Sequence, residues 1–521
     1  MTPRDAIPEP TAHVAFMALE AWGHTRSLCT LALKLVQTRP LYITFFTSPN
    51  IAERVESELS RSFGPEQQAL RTLVRVAAME VGKATPVDPL QFQKFNQSFA
   101  ETYEKLVNGE SITCAYSGKE IKPVVAPDAI IMDFFCVPGL EAVRKFSRKP
   151  VKVLAWMSGQ AAYILHPYAP VSRGGRGDFR PRIMEEVAKT GRPIEEVSEE
   201  IMHEVTGAIV RTPGLPPMYD YEFAPQQRPF KGVGILMMLM HSFIDQCDAI
   251  VLSTAEPYEA EAIAEIKAWF AETSREVYTF GPLLPFGQKA IEGEQRQSEK
   301  SAEIAKFMQT TLESHGPKSL LYISFGSVFW SVQPEKIWAF LDVVMEKKIP
   351  FIMSNASPFG TVPDEVVAKV KAYGHGLLSK WSPQQTILAH PVTGWFVTHG
   401  GQNSIVESIT LGVPMICWPF SADQPGNAAR LSSILDVAYE LLEVRTPPHG
   451  FKPLYRSGKA PVGTVEAVRE EARLVLDKAF GEDGAKKRAN IETLRRAVLK
   501  TWDADGPARH DLERFIATLP S

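Results

Sequence analysis

The stretch 381-WSPQQTILAHPVTGWFVTHGGQNSIVESITLGVPMICWPFSADQ-424 decides how the rest of the chain is read. Within it, 394-GWFVTHGGQNSIVESI-409 reads as a buried strand, a glycine turn and the start of a helix. Gly400 and Gly401 let a ligand approach the backbone closely. Asn403 and Ser404 fall in the first helical turn, where unpaired amide N–H groups and the positive end of the helix dipole favour a phosphate. His399, at the C-terminal end of the strand, can add a hydrogen bond or a positive charge to the same anion. In a doubly wound sheet this edge is where nucleotides bind.

The flanking residues extend the pattern. Trp381, at the end of another strand, can stack on a nucleobase. Glu407, one turn into the helix, can accept hydrogen bonds from ribose hydroxyls, and Asp423 and Gln424, after the next strand, can hold sugar hydroxyls. Each is ordinary alone: a lone tryptophan is more often core, and Asn-Ser is often only a helix cap. Their joint order is what carries the reading.

Working outward, short apolar runs alternate with helical patterns over the whole chain. The strand candidates are 13–21, 41–48, 73–79, 128–135, 151–158 and 249–254 in the first half. In the second they are 319–327, 350–356, 375–381, 394–400 and 414–420. Strands alternating with helices predict parallel sheets covered on both faces. The polar segment 286-FGQKAIEGEQRQSEKSAE-303 is the best linker. The expected division is residues 1–285, a linker at 286–305 and residues 306–507, with an amphipathic helix at 508–520 packing back on the first unit.

Composition fits two globular units. The 521 residues exceed one ordinary core, and 45% hydrophobic with 22% charged residues is unremarkable. A net charge of −4 gives no electrostatic case for nucleic acid. Five scattered cysteines form no CxxC pair and suit a reducing, cytoplasmic setting. No apolar run approaches the ~20 residues of a membrane span. Other motifs fail on inspection. The stretch 203-HEVTG-207 lacks the second zinc histidine, no GxxxxGK[ST] or GxSxG occurs, and the DxD of Asp503 and Asp505 lies outside a strand context. No metal and no cofactor are expected.

The 381–424 stretch closely resembles the signature box of family 1 UDP-glycosyltransferases, especially the soluble plant-type enzymes. The segments 213-PGLPP-217, 278-YTFGPLLP-285 and 322-YISFGS-327 follow in family order. The resemblance implies an α/β GT-B fold, two Rossmann-like doubly wound domains facing each other across a cleft, with the acceptor on the N-terminal side and the UDP-sugar on the C-terminal side. Carried over by position, Trp381 would stack on uracil, Gln384 and Glu407 would bind the ribose, and His399, Gly401, Asn403, Ser404 and the backbone near Ser327 would hold the diphosphate. Asp423 and Gln424 would hold the sugar, and Gln424 implies UDP-glucose. The family usually has tryptophan where this chain has Gln402, which leaves the sugar preference less firmly specified.

The same resemblance gives His24 a role. The family's general base is a histidine after the first strand, and Asp133, at the end of 128-DAIIMDFF-135, matches its partner aspartate. In a parallel sheet the C-terminal ends of strands share one rim, so the two can meet. The implied reaction is an inverting, metal-independent transfer of glucose to a hydroxyl of a small lipophilic acceptor, by a monomeric enzyme. Trp22, Phe134 and the loops at 80–120 and 159–230 are expected to shape the acceptor pocket. The alternatives are a UDP-sugar isomerase or hydrolase of the same fold, and a non-catalytic nucleotide-sugar-binding protein.

Overall fold

The computed structural model describes residues 9–81, 89–227, 232–285, 291, 293–294 and 300–521; most of the proposed linker lies outside them. Seven strands build the first sheet: β1 (His13–Met17), β2 (Tyr42–Thr47), β3 (Val74–Ala78), β4 (Ala129–Asp133), β5 (Lys152–Met157), β6 (Ala249–Leu252) and β7 (Glu276–Thr279). They lie in the order β3-β2-β1-β4-β5-β6-β7, and every pairing is parallel. Both faces are covered. Val14 and Phe16 point into one core and Ala15 and Met17 into the other, which is why these strands read as continuous apolar runs rather than alternating ones.

A second sheet repeats the plan with β8 (Leu320–Ser324), β9 (Phe351–Ser354), β10 (Gly376–Ser379), β11 (Thr393–Thr398), β12 (Met415–Cys417) and β13 (Ala438–Glu440). Its order is β10-β9-β8-β11-β12-β13, again all parallel. In each sheet the strand order reverses beside the first strand, at β1/β4 and at β8/β11. The crevice outside the carboxyl ends of the strands at such a reversal is where ligands bind in this architecture.

Two edge strands, β7 and β13, fall outside the strand candidates read from the sequence. Glu276–Thr279 and Ala438–Glu440 hold four and three residues, too few to establish a two-residue period. The regions read as loops at 80–120 and 159–230 contain helices among their described residues. Pro89–Asn108 is a helix whose Phe95, Phe99, Tyr103 and Leu106 recur every three or four residues and are buried. Helices Ala161–Tyr168, Arg180–Thr190 and Ile194–Met202 occupy the second region. Residues 301–305 open the helix Ser301–His315.

The chain ends against the first sheet. In helix Pro507–Ala517, Leu512, Phe515 and Ile516 join the core that holds Val14 and Phe16. Asp511 accepts the Thr279 backbone N–H at 2.8 Å. His13 opens β1 fully buried, its ring 2.7 Å from the Val125 carbonyl and 2.9 Å from the Thr44 hydroxyl. No helix among the described residues is long and apolar enough to cross a membrane.

Candidate active site

His24 is the third residue of the helix Trp22–Thr38, which follows β1. Two bonds fix that turn: the Trp156 indole N–H, from β5, donates to the His24 carbonyl at 2.9 Å, and the Thr25 hydroxyl donates to the Leu19 carbonyl at 3.0 Å. Met17 of β1 pairs with Met132 of β4, so Asp133 is one step farther along the adjacent strand. His24 Nδ1 lies 2.6 Å from Asp133 Oδ2. The aspartate is fully buried and also accepts the Leu19 N–H at 3.3 Å, while the imidazole is 26% exposed. A carboxylate only accepts, so the proton belongs on Nδ1 and Nε2 is left as the basic nitrogen.

Burial opposes a charge on His24. The Asp133 carboxylate, its hydrogen bond, and the charge of Asp423 outweigh that opposition and raise the pKa above 6.5. Asp423 thus faces His24 from the second half. Its Oδ2 accepts the Gln160 N–H and the Asn427 amide, each at 3.3 Å. Burial, with the nearby Glu259 charge, pushes its carboxyl to about 6 against the pull of the Gln160 N–H.

The residues of the 381–424 stretch converge from the carboxyl ends of the second sheet. Trp381 follows β10 and is half-buried; Ser327 lies in the turn after β8 and is exposed. His399 follows β11 with its ring wedged between two glycines. A Cβ at Gly326 or Gly401 would come within 2.9 or 2.5 Å of that ring, so neither position has room for a side chain. Burial lowers His399 to about 4. It is therefore neutral near pH 7 and offers a hydrogen bond, not the positive charge its position in sequence allowed. Gly401 stands at the N-cap of helix Gln402–Leu411 and supplies no side chain to the first-turn N–H groups, which remain oriented for an anion.

Gln384 opens its own short helix. Its amide donates to Ser404 Oγ at 3.1 Å and to Glu407 Oε2. Gln424 is buried and folds back, its Oε1 accepting the Phe420 and Ser421 N–H groups at 2.9 and 3.3 Å; its remaining capacity is the amide N–H₂. Asn403 turns toward the first half: its amide donates to the Gly23 carbonyl at 2.6 Å and its Oδ1 accepts the Ser27 hydroxyl at 3.1 Å.

The acceptor-side expectations divide. Phe134 is buried in the core of the first sheet, and its neighbour Phe135 is the ring beside His24, with centroids 5.7 Å apart. Trp22 lies against the opposite core with the Arg54 guanidinium 4.2 Å from its ring centroid.

Gln402, marked in the sequence only as a departure from the family pattern, and several unmarked residues bond across the cleft. Gln402 is buried, and its amide donates to the Thr254 hydroxyl across the cleft at 2.9 Å. Thr254 donates to Glu259 Oε2 at 2.6 Å, and Glu259 also accepts the Ala161 and Ala162 N–H groups at 3.0 and 3.1 Å. Arg26, two residues past His24, pairs with Glu407 at 2.5 Å and Glu58 at 3.1 Å. Glu294, from the region read as linker, is buried beside Arg26 and Arg61. One local signal existed: Arg26, the fifth residue of helix Trp22–Thr38, sits toward the positive end of its dipole, where an acidic partner is favoured.

Among the described residues, Asp178, His241 and Asp245 come within metal-like spacing, but Arg180 donates to both carboxylates and already supplies their countercharge. Asp503 and Asp505 are exposed between the last two helical segments.

A family model described as "UDP-glucoronosyl and UDP-glucosyl transferase" matches residues 193–441. The chain is 31% identical over 514 residues to the UDP-glycosyltransferase eriJ of Hericium erinaceus, covering 95% of this chain and 96% of that one. It is 25% identical to a myricetin 3-O-rhamnoside 1,2-glucosyltransferase of Crocosmia x crocosmiiflora, covering 99% and 97%. Among solved structures, a UGT transferase of Siraitia grosvenorii in complex with UDP superposes with a TM-score of 0.67 at 19% identity, covering 97% of this chain and 99% of that one. Phytolacca americana UGT2 with UDP-2fluoro-glucose and pterostilbene gives 0.64 at 19%, covering 98% and 99%. Two parallel-sheet units in the GT-B arrangement, together with a relative of this identity along nearly its whole length, show that the chain belongs to the UDP-glycosyltransferases, enzymes that move a sugar from a UDP-sugar to an acceptor.

Proposed function

We propose that the protein transfers glucose from UDP-glucose to a hydroxyl of a small lipophilic acceptor, inverting the anomeric centre. The observation that carries this is the His24–Asp133 pair, facing Asp423 across the crevice. His24 Nε2 takes the acceptor proton while the acceptor oxygen forms a bond to the anomeric carbon. The bond from that carbon to the UDP oxygen breaks on the opposite face, so α-linked glucose becomes a β-glucoside. Asp133 holds the ring's orientation and stabilises the imidazolium. Such a base contributes ~10²–10⁴-fold. Charge developing on UDP meets the first-turn N–H groups of helix Gln402–Leu411 and a neutral hydrogen bond from His399.

On this reading Trp381 stacks on uracil, Gln384 and Glu407 bind ribose, and Ser327, His399, Gly401, Asn403 and Ser404 surround the diphosphate. Asp423 and Gln424 bind the sugar. Glucose is supported by Gln424 and by relatives named for glucosyl transfer. A lipophilic acceptor is supported by Phe135 beside the base. Residues 1–285 and 306–507 form the acceptor and donor units, with 508–520 returning to the first. Five free, buried cysteines support a cytoplasmic setting.

The test is a donor panel of UDP-glucose, UDP-galactose and UDP-xylose against mixed phenols, terpenoids and sterols, followed by NMR of the product. A β-glucoside as the main product supports the reading. An α-glycoside, or another sugar used in strong preference, contradicts it.

A further inference from the structure

Arg26, the fifth residue of helix Trp22–Thr38, is among the most heavily bonded side chains of the cleft. Its Nε donates to Glu58 Oε1 at 3.1 Å, its Nη1 to Glu407 Oε1 at 2.5 Å and its Nη2 to Gln385 Oε1 at 2.9 Å, with Glu294 at 3.7 Å. It is 13% exposed, and Glu407 is 1% exposed. Arg61 completes the group by pairing with Glu58 at 3.3 Å and approaching Glu294. An ionised carboxylate has about four lone-pair directions. On Glu407, Arg26 takes one on Oε1 and Gln384 takes one on Oε2, leaving one on each oxygen.

We propose that Arg26 is a positioning residue for the donor nucleotide: it holds the Glu407 carboxylate in place, so that the two remaining lone-pair directions accept the ribose 2′- and 3′-hydroxyls. This rests on the reading of Glu407 as the ribose ligand. Removing the cation leaves a buried carboxylate without its closest countercharge, a costly state that moves the acceptor out of place. The arrangement also ties nucleotide and base together. Gly23, Arg26 and Ser27 all bond to helix Gln402–Leu411, while His24, in the same turn, faces Asp133.

The experiment is calorimetric binding of UDP and of 2′,3′-dideoxy-UDP to the wild type, Arg26→Met and Arg26→Lys. The wild type should prefer UDP by at least about tenfold, as hydrogen bonds to a charged acceptor require. In Arg26→Met that preference should collapse to within about twofold, and Arg26→Lys, with its charge but no planar fork, should fall between. If Arg26→Met weakens both nucleotides equally and keeps the wild-type preference, Arg26 only packs, and the inference is overturned while the donor site stands. Equal binding of the two nucleotides by the wild type would remove Glu407 from the ribose, and the inference with it. Should Arg26→Met not fold, a wild-type preference in Arg26→Lys overturns the inference and an intermediate one supports it.

Discussion

His24 Nδ1 lies 2.6 Å from Asp133 Oδ2 although the residues are 109 positions apart in sequence. The contact follows from topology. β1 and β4 are parallel neighbours at the point where the strand order reverses, so a residue opening the helix after one strand meets a residue closing the other. The imidazole is held by a buried acid on one nitrogen and is free to work with the other.

That pairing has a pH signature. If His24 is the base, as proposed, it must be neutral to work, and its pKa is raised above 6.5, so kcat/KM should fall as pH drops through a value above 6.5. Asp133→Asn removes the charge that offsets burial. Its acid limb should move to lower pH while turnover falls, on the order of 10²–10⁴-fold, and UDP affinity should stay near wild type. Rate profiles from about pH 5 to 9, with UDP binding alongside, check both. An acid limb that does not move removes Asp133 from this role.

Trp381→Ala should weaken UDP binding. Stacking on a base is worth about 1–3 kcal/mol, or roughly five- to a hundredfold in Kd. Calorimetry with UDP and with uridine measures it, and both should lose the same factor. Unchanged affinity would place the uracil elsewhere.

The 381–424 stretch made the donor half legible because strand, glycine turn and helix cap are local features, and their residues kept that order in space. The dyad was legible through the resemblance and the parallel rim. The network across the cleft was not. Gln402 reaches Thr254, and Arg26 reaches Glu407, over 148 and 381 positions, and no local period encodes such pairs. Helix Pro89–Asn108 is hidden differently: its buried face is aromatic, and aromatic composition in a region between strands fits a ligand pocket as well as a packed helix. At the C-terminal end of its strand His399 can offer a hydrogen bond or a positive charge, and burial leaves the hydrogen bond.

Gln402 and Thr254 should behave as a coupled pair. Gln402→Leu and Thr254→Val each remove one side of a buried hydrogen bond, costing about 1–3 kcal/mol. The double variant should cost less than the sum. Urea denaturation of the four proteins tests this, and strict additivity would show that the bond contributes nothing.

Three buried histidines should make acid costly at their own positions. Burial, aided by nearby arginines, lowers His13 and His166 to about 3, and burial alone lowers His399 to about 4. From about pH 6.5 downward the unfolded chain takes protons at these three positions that the folded chain refuses, so their contribution to stability falls with pH. His24, raised, acts in the opposite direction, as do the buried carboxyls of Asp423 and Glu471, which burial pushes up to about 6 and about 7. Each neutral buried histidine should add about 1.4 kcal/mol per pH unit to the slope below pH 6. In His166→Phe, which can keep the stacking on Phe223, the slope between about pH 6 and 5 should drop by that amount. An unchanged slope would mean that His166 titrates in the folded protein.

The most direct measurement is mass spectrometry of reactions containing UDP-glucose and the mixed acceptor panel, with wild type and His24→Ala side by side and UDP affinity measured for both. The account predicts an acceptor gaining one hexose with the wild type, loss of that product on the order of 10²–10⁴-fold in the variant, and equal UDP binding. Product formed at the wild-type rate by His24→Ala, with UDP bound as before, would contradict it.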